Sequence, residues 1–229
     1  MIPALAPASP QVAGHHTVGA STGYMAADYG DWPALVDQAV ATSTLAVELS
    51  ALAEPELPSL LAFLESAPVL PFLFVALHAP TKERRLPERA LVAQLLRVAG
   101  RVDAIVVHPD TITDPRAYRP LGSALVLENM DRRKRAGRDA DQLADLFGAL
   151  PEAGLCLDVP HAASVDPTLD VAREILDAHG SRLRHVHLSS LDAECHHRPL
   201  TAADEERFGE LLDRCRDVPW ILEAPLADR

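Results

Sequence analysis

The sequence predicts an α/β protein built as one (β/α)8 TIM barrel. Short apolar, β-branched runs alternate with longer amphipathic segments along all 229 residues, and eight such units of about 25–30 residues suit this barrel. The apolar runs are continuous, which is typical of parallel strands covered on both faces. No glycine-rich turn follows a run, so the pattern disfavours a doubly wound sheet and a nucleotide cofactor.

Eight apolar runs are predicted as strands because each is short, apolar and bounded by polar or turn-forming residues. They cover residues 15–21, 44–50, 72–78, 103–109, 123–129, 154–160, 183–189 and 219–225. Residues 1–14 are interrupted by three prolines. We therefore expect a flexible N-terminal tail over 1–14 and a single barrel domain over 15–229.

Six segments between the runs are predicted as helices, several of which open with Pro or an acidic residue and close with Gly or a basic one. They cover residues 31–43, 55–66, 86–100, 138–154, 168–180 and 202–216. The proline-rich connection 110–122 predicts a helix of only a turn or two. Because little sequence follows the eighth run, we expect a full final helix to be lacking.

Charge and cysteine content limit the partners and the compartment. The formal net charge of −12 disfavours nucleic acid and anionic membranes, and no run approaches the ~20 apolar residues of a membrane span. The three cysteines fit neither a disulfide framework nor a CxxC site, and the N-terminus lacks the charged start of a signal peptide. We expect a cytoplasmic protein with a small-molecule substrate, and the sequence leaves homo-oligomerisation open.

Seven consecutive runs end in a residue that can bind a metal or transfer a proton. Since parallel barrel strands deliver their carboxyl ends to one shared face, these side chains are expected to converge there. Taken singly, each has an ordinary interpretation as a loop residue or a partner in an ion pair. Together, the converging carboxylates would repel one another unless a divalent cation joined them, and the mixed ligands suit Mn, Zn, Co or Fe. The residues are Glu48, His78, His108, Glu128, Asp158, His187 and Glu223.

The motifs around these residues resemble one superfamily in their order along the chain. "VELS", "HAP", "HPD", "LENM", "LDVPHA", "HVHLS", "HHRPL" and "LEAP" are similar to the xylose isomerase-like TIM barrels. That superfamily includes sugar isomerases and epimerases, inosose dehydratases and endonuclease IV-type nucleases. The resemblance extends over residues 15–226.

The resemblance to the epimerase branch implies one metal ion and two catalytic residues. Its four ligands would be Glu128, Asp158, His187 and Glu223, and the two glutamates would also act as the acid/base pair. His161, three residues beyond Asp158, would contact substrate oxygens. We also place Glu48 and Arg198 among the substrate-binding residues.

The resemblance to the endonuclease IV branch implies additional ligands. His78, His108 and His161 stand at three of the added positions, and "CHHRPL" places His197 at another. Cys195 stands where that branch has Asp, which departs from the family pattern, although a thiolate also binds zinc.

Four further features have predicted positions. The basic segment 131–138 follows the fifth run, where it is either a solvated loop or a group that binds an anionic part of the substrate. Trp32 and Trp220 are expected to pack in the core. His185 is expected to face the helix layer rather than the site.

These residues favour a divalent-metal-dependent isomerase or epimerase, or a related lyase, acting on a small sugar or polyol-like carbonyl compound. A metal would acidify the C–H group between two chelated oxygens, and the glutamates would move the proton. The alternatives are a multinuclear zinc phosphodiesterase of endonuclease IV type, a multi-iron oxidative enzyme and a metal-free binding protein. Because the chain is acidic, we expect a single ion, with His78 and His108 either contacting the substrate or lining the cavity.

Overall fold

The computed structural model describes residues 11–12, 16–25 and 30–226 and contains a closed barrel of eight parallel strands. Each strand pairs with the next one along the chain, and the first also pairs with the eighth, which closes the barrel. The predicted (β/α)8 fold is therefore confirmed. The strands are β1 (His16–Ser21), β2 (Ala46–Ser50), β3 (Phe74–His78), β4 (Ala104–Val107), β5 (Leu125–Glu128), β6 (Gly154–Asp158), β7 (Leu183–Leu188) and β8 (Trp220–Leu222).

Eight α-helices follow the strands within the described ranges. They are α1 (Trp32–Thr42), α2 (Leu57–Glu65), α3 (Glu88–Leu95), α4 (Pro115–Tyr118), α5 (Ala140–Ala149), α6 (Val159–Val165), α7 (Asp170–His179) and α8 (Ala202–Asp213). The six predicted helices are all present, and α4 is a single turn. Several begin at a side chain that accepts a backbone N–H, as Asp139 does from Gln142 N at 2.9 Å.

Helix α6 is not predicted by the sequence pattern, because its seven residues are too few to display a periodic apolar face. Asp158 starts it: the Asp158 Oδ1 atom accepts the backbone N–H of His161 at 2.5 Å. The last residue of β6 is therefore also the N-cap of α6. This short helix directs the His161 side chain over the carboxyl end of the barrel.

Part of the predicted flexible tail belongs to the sheet. Gln11–Val12 pair antiparallel with β1, and the Val12 side chain is fully buried. The other residues of the predicted tail, and His15, lie outside the described residues. The antiparallel pairing corrects the tail prediction for these two residues, because burial of Val12 and two ladder positions hold them in place.

The main core lies between the barrel and its helices. Trp220 is buried there as predicted, and its indole Nε1 donates to the Cys215 carbonyl at 2.9 Å. Trp32 is buried too, with its Nε1 donating to Ser59 Oγ at 3.0 Å. A smaller layer fills the barrel interior, and it consists mostly of small side chains: Ala46, Ala76, Ala104, Val126, Cys156 and Ile221.

The contact between β1 and β2 leaves no space for a side chain at Gly19. A Cβ atom there would lie 2.3 Å from the backbone oxygen of Ala46. We therefore expect Gly19→Ala to lower the free energy of unfolding by about 1–3 kcal/mol, the usual cost of overpacking, measured by urea denaturation. Gly209→Ala is the matched control, since a Cβ there meets nothing within 4 Å and alanine favours the helix. Equal stability of the two variants would contradict this packing.

No helix within the described part of the chain is both long enough and apolar enough to cross a membrane.

Candidate metal centre

Four predicted ligands converge at the carboxyl end of the barrel, and we call them the primary group: Glu128, Asp158, His187 and Glu223. The His187 Nδ1 atom lies 3.5 Å from Glu128 Oε2 and 3.4 Å from Glu223 Oε1. Donor atoms of Glu128, Asp158 and His187 all lie within 4.8 Å of one another. The sheet register causes this, because Asp158 and His187 are direct partners across β6 and β7.

The chemistry of the primary group fits a divalent cation. Three of its buried atoms make no hydrogen bond: Asp158 Oδ2, His187 Nδ1 and Glu223 Oε2. Burial, together with repulsion from Glu223 and Glu128, raises the pKa of Asp158 well above its usual value despite nearby His161. A cation bound here would satisfy the free lone pairs and offset the repulsion.

A second set of donors adjoins the primary group through Glu128, and we call it the histidine group: His78, His108 and Glu128. Glu128 Oε2 lies 3.3 Å from His78 Nε2 and 3.4 Å from His108 Nε2, and the two nitrogens are 3.1 Å apart. The other ring nitrogen of His78, Nδ1, lies 3.0 Å from the Ala79 carbonyl, to which it donates. That tautomer leaves the Nε2 lone pair facing Glu128, as in metal-binding histidines.

The electrostatics of the histidine group depend on Glu128. Burial raises the pKa of this carboxyl, but His108, His161 and His187 outweigh burial and hold it well below its usual value. Burial lowers the pKa of His108. For His78, contact with Glu128 and the charge of Glu48 outweigh burial and raise the pKa. An ionised Glu128 carboxylate therefore faces several imidazoles at once.

A third set of donors lies on the other side of Asp158. Donor atoms of Asp158, His161 and His197 lie within 4.8 Å of one another. His161 Nδ1 is 3.0 Å from the Asn129 carbonyl, and His197 Nδ1 is 2.8 Å from Ser189 Oγ. Burial lowers the pKa of His161, but Asp158 and Glu128 outweigh burial and raise it to about 10.

Two side chains that the sequence analysis did not single out support these groups. Asn129 clamps Asp158 from both sides: its Nδ2 donates to the Asp158 carbonyl and its Oδ1 accepts the Asp158 N–H, each at 2.8 Å. Asp131 is buried against Arg133, with Oδ2 2.9 Å from Arg133 Nη2. The only available signal was their position directly after Glu128, and sequence alone does not show which way such residues point.

Glu48 lies deeper than its predicted substrate-binding role requires. It is the third of five residues in β2, and it has no exposed surface although it borders the cavity floor. Its Oε2 is 2.9 Å from His187 Nε2. Burial raises the pKa of Glu48, but His187 and His185 outweigh burial and lower it. Glu48 therefore hydrogen-bonds a predicted ligand from the floor of the cavity.

His185 faces the barrel interior, so the prediction that it faces the helices is wrong. Residues two apart in a strand point to the same side, and His185 therefore shares the side of His187, with ring centroids 5.1 Å apart. Its Nε2 lies 3.8 Å from Glu48 Oε2, and the residue is fully buried.

The segment after β7 places Cys195 and His197 at the cavity but not Arg198. It forms a short hairpin, Ser190–Leu191 with His197–Arg198. Cys195 is buried and borders the cavity, as does His197. Arg198 has a side chain that is 60% exposed, lies 2.7 Å from Asp192 and does not border the cavity. Neighbouring residues of a strand point in opposite directions, and the placement of Arg198 does not support its predicted substrate contact.

A cavity of about 400 Å³ is bordered by members of all three sets of donors. Lys82, Arg133 and Lys134 border it, so the basic segment 131–138 does reach the site. Arg133 is paired with Asp131, and Lys134 Nζ is 2.7 Å from Asp110 Oδ2. The cavity therefore combines a buried acidic and imidazole floor with three cationic side chains.

Comparison with known proteins agrees with the fold and the motif order. Residues 117–225, which carry β5 to β8 and the whole primary group, match the family model of the xylose isomerase-like TIM barrels. Over these residues the chain is similar to that family. This confirms the resemblance inferred from the strand-end motifs, and the superfamily contains both epimerases and endonuclease IV.

Solved structures of two kinds share the fold. Endonuclease IV from Thermus thermophilus superposes with a TM-score of 0.58 and 23% identity, over 85% of this chain and 87% of that one. D-Psicose 3-epimerase from Clostridium cellulolyticum, solved with D-tagatose, gives a TM-score of 0.55 and 15% identity, over 92% and 85% of the two chains. No curated protein matches the chain.

Proposed function

We propose that this protein is a multinuclear metal-dependent hydrolase of a small phosphate ester. The convergence of His78 Nε2, His108 Nε2 and Glu128 Oε2, at separations of 3.1 to 3.4 Å, carries the proposal. A single proton cannot bridge three atoms, whereas one cation accepts all three as ligands. This set adjoins the primary group through Glu128, an arrangement that suits two neighbouring ions.

Each set of donors has a proposed role. The primary group would hold one ion and the histidine group a second, with Glu128 shared. Asp158, His161 and His197 would hold a third, and Cys195 borders the same cavity. Zn, Mn, Co or Fe suits these ligands. Bound ions would supply the positive charge that a phosphoryl group needs during displacement.

The chain's own residues provide orientation and proton transfer. Lys82, Arg133 and Lys134 at the cavity are suited to hold the anionic substrate. Glu223 is 14% exposed at its side chain, whereas Glu128 is only 1% exposed. Glu223 is therefore the carboxylate better placed to exchange a proton with substrate. The superposition with an endonuclease supports the reaction class, while the net charge of −12 favours a short ester over duplex DNA.

A second candidate is the isomerase or epimerase expected from the sequence, with one ion in the primary group. It is favoured by a specific observation: Glu128 and Glu223 approach the same His187 nitrogen at 3.5 and 3.4 Å. Two glutamates around one centre suit removal and return of a proton. The superposition with a psicose epimerase supports this reaction class.

Metal stoichiometry separates the two candidates. We expect two or more tightly bound ions per chain by elemental analysis, and we expect His108→Ala to lower the count by one, because His108 belongs to the histidine group alone. His196→Ala is the control, since that imidazole is 63% exposed and contacts Asp192. The proteins are also assayed with p-nitrophenyl phosphate, bis-p-nitrophenyl phosphate and ketohexoses. One ion per chain, unchanged by His108→Ala, with ketohexose epimerisation, would favour the second candidate.

A further inference from the structure

We propose that Glu48 is a positioning residue that orients His187 and sets which of its ring nitrogens carries the proton. This inference rests on metal binding by the primary group, as in the proposed function. It assigns Glu48 a role at the metal ligand in place of the substrate contact expected from its position near a strand end.

The two ring nitrogens of His187 face different partners. Nε2 lies 2.9 Å from Glu48 Oε2, which accepts its proton. Nδ1 makes no hydrogen bond and lies 3.4 Å from Glu223 Oε1. A proton held on Nε2 leaves the Nδ1 lone pair directed at the primary group. A carboxylate behind a metal-binding histidine fixes its tautomer and raises its basicity.

Glu48 is itself held in one orientation. Its Oε1 accepts from the hydroxyls of Ser21 and Ser50, at 3.3 and 3.5 Å, and these hydroxyls are 2.9 Å apart. His185 Nε2 lies 3.8 Å away on the other oxygen. Strands β1, β2 and β7 therefore surround the carboxylate with donors, which offsets the cost of burying its charge.

Glu48 is fully buried at the floor of the cavity, and its hydrogen bond to the primary group is to His187. The other ring nitrogen of His187 faces Glu128 and Glu223 at 3.5 and 3.4 Å. The hydrogen bond to His187 is therefore the contact through which Glu48 acts on the primary group.

The test is the zinc affinity of Glu48 variants, measured by competition with a chromophoric chelator. We expect binding to weaken about 10–100-fold, the usual effect of losing such a partner. Glu48→Ala should weaken binding more than Glu48→Gln, because the amide oxygen of Gln still accepts from Nε2. Glu88→Gln is the matched control: its carboxylate binds Thr113 and Asp114, away from the donors, and its zinc affinity should equal that of the wild type.

The imidazole ¹⁵N shifts of the zinc-loaded protein provide a readout that a purely structural role would not change. In the wild type we expect His187 to carry its proton on Nε2; in Glu48→Ala we expect this proton to exchange faster. Wild-type affinity and unchanged shifts in Glu48→Ala would overturn the inference. If Glu48→Ala does not fold, the affinity of Glu48→Gln decides: this variant keeps an acceptor but loses the charge that makes the imidazole more basic, so an affinity equal to that of the wild type would overturn the inference. Failure of the wild-type protein to bind zinc would instead overturn the proposed function.

Discussion

The Glu128→Gln protein is expected to fold and to lose at least ~100-fold of its turnover, since losing a shared ligand should cost no less than the ~10–100-fold typical of losing a partner behind a ligand. Glu128 Oε2 approaches His78, His108 and His187 at 3.3 to 3.5 Å, and its Oε1 lies 3.1 Å from His161. An amide removes the charge and directs N–H groups at imidazole nitrogens. The loss therefore affects the primary group and the histidine group together.

Turnover on the active phosphate ester and the metal count are the measurements. We expect Glu128→Gln to lower the metal count by more than His108→Ala does, because only Glu128 is shared between the two groups. Glu65→Gln is the control for the substitution itself, since Glu65 pairs with Arg97 on the surface. Near-normal turnover of Glu128→Gln would remove Glu128 from the reaction.

Metal removal and Asp158→Asn are expected to change the thermal stability in ways that reveal the role of Asp158. A ligand present at 1,000 times its Kd stabilises a protein by about 4 kcal/mol, which corresponds to a Tm shift of about 8–16 °C for a domain of this size. Chelation of the metal should lower the Tm of the wild type by such an amount. In the Asp158→Asn protein the effect of chelation should be much smaller.

Without metal, the Asp158→Asn protein is expected to be more stable than the wild type. Because the pKa of Asp158 is raised in the folded state, the folded state holds this proton to a higher pH than the unfolded chain does. The contribution of Asp158 to the free energy of unfolding is therefore favourable at low pH and is lost as the pH rises through the folded-state pKa. Asp158→Asn carries no such charge, and its metal-free form should melt above the metal-free wild type at neutral pH.

Differential scanning calorimetry with and without chelator tests both signs. Asp166→Asn is the control, because Asp166 starts the loop before α7 and lies apart from the donors. An Asp158→Asn protein that melts below the wild type in both conditions would show that Asp158 serves the fold rather than a metal.

The barrel was predictable because each strand is a continuous apolar run and most helices are long enough to show a periodic face. Helix α6 was not, since it depends on one hydrogen bond from Asp158 to the His161 backbone. The pairing of Gln11–Val12 with β1 was missed because a two-residue ladder leaves no pattern in the sequence.

The candidate site was predictable only at the level of strand ends. Glu128 and Asp158 do end their strands, and Glu223 directly follows one. Glu48 and His185 lie deeper in the barrel, and Arg198 lies outside the cavity. Counting residues along a run locates the carboxyl end to within a residue or two, and that error moves a side chain from the cavity to the floor or to the opposite face.

The sequence by itself determined the fold class, the order of the motifs and which residue types meet at one end of the barrel, because hydrophobic periodicity and parallel pairing are local and repetitive. Only the tertiary structure decided how those side chains divide into sets. Glu128 belongs to two sets because His78 of β3, His108 directly after β4 and His187 of β7 all lie within 3.5 Å of its Oε2. Glu48 faces His187 across the barrel, a contact between residues 139 positions apart, and such a distance depends on strand register and closure.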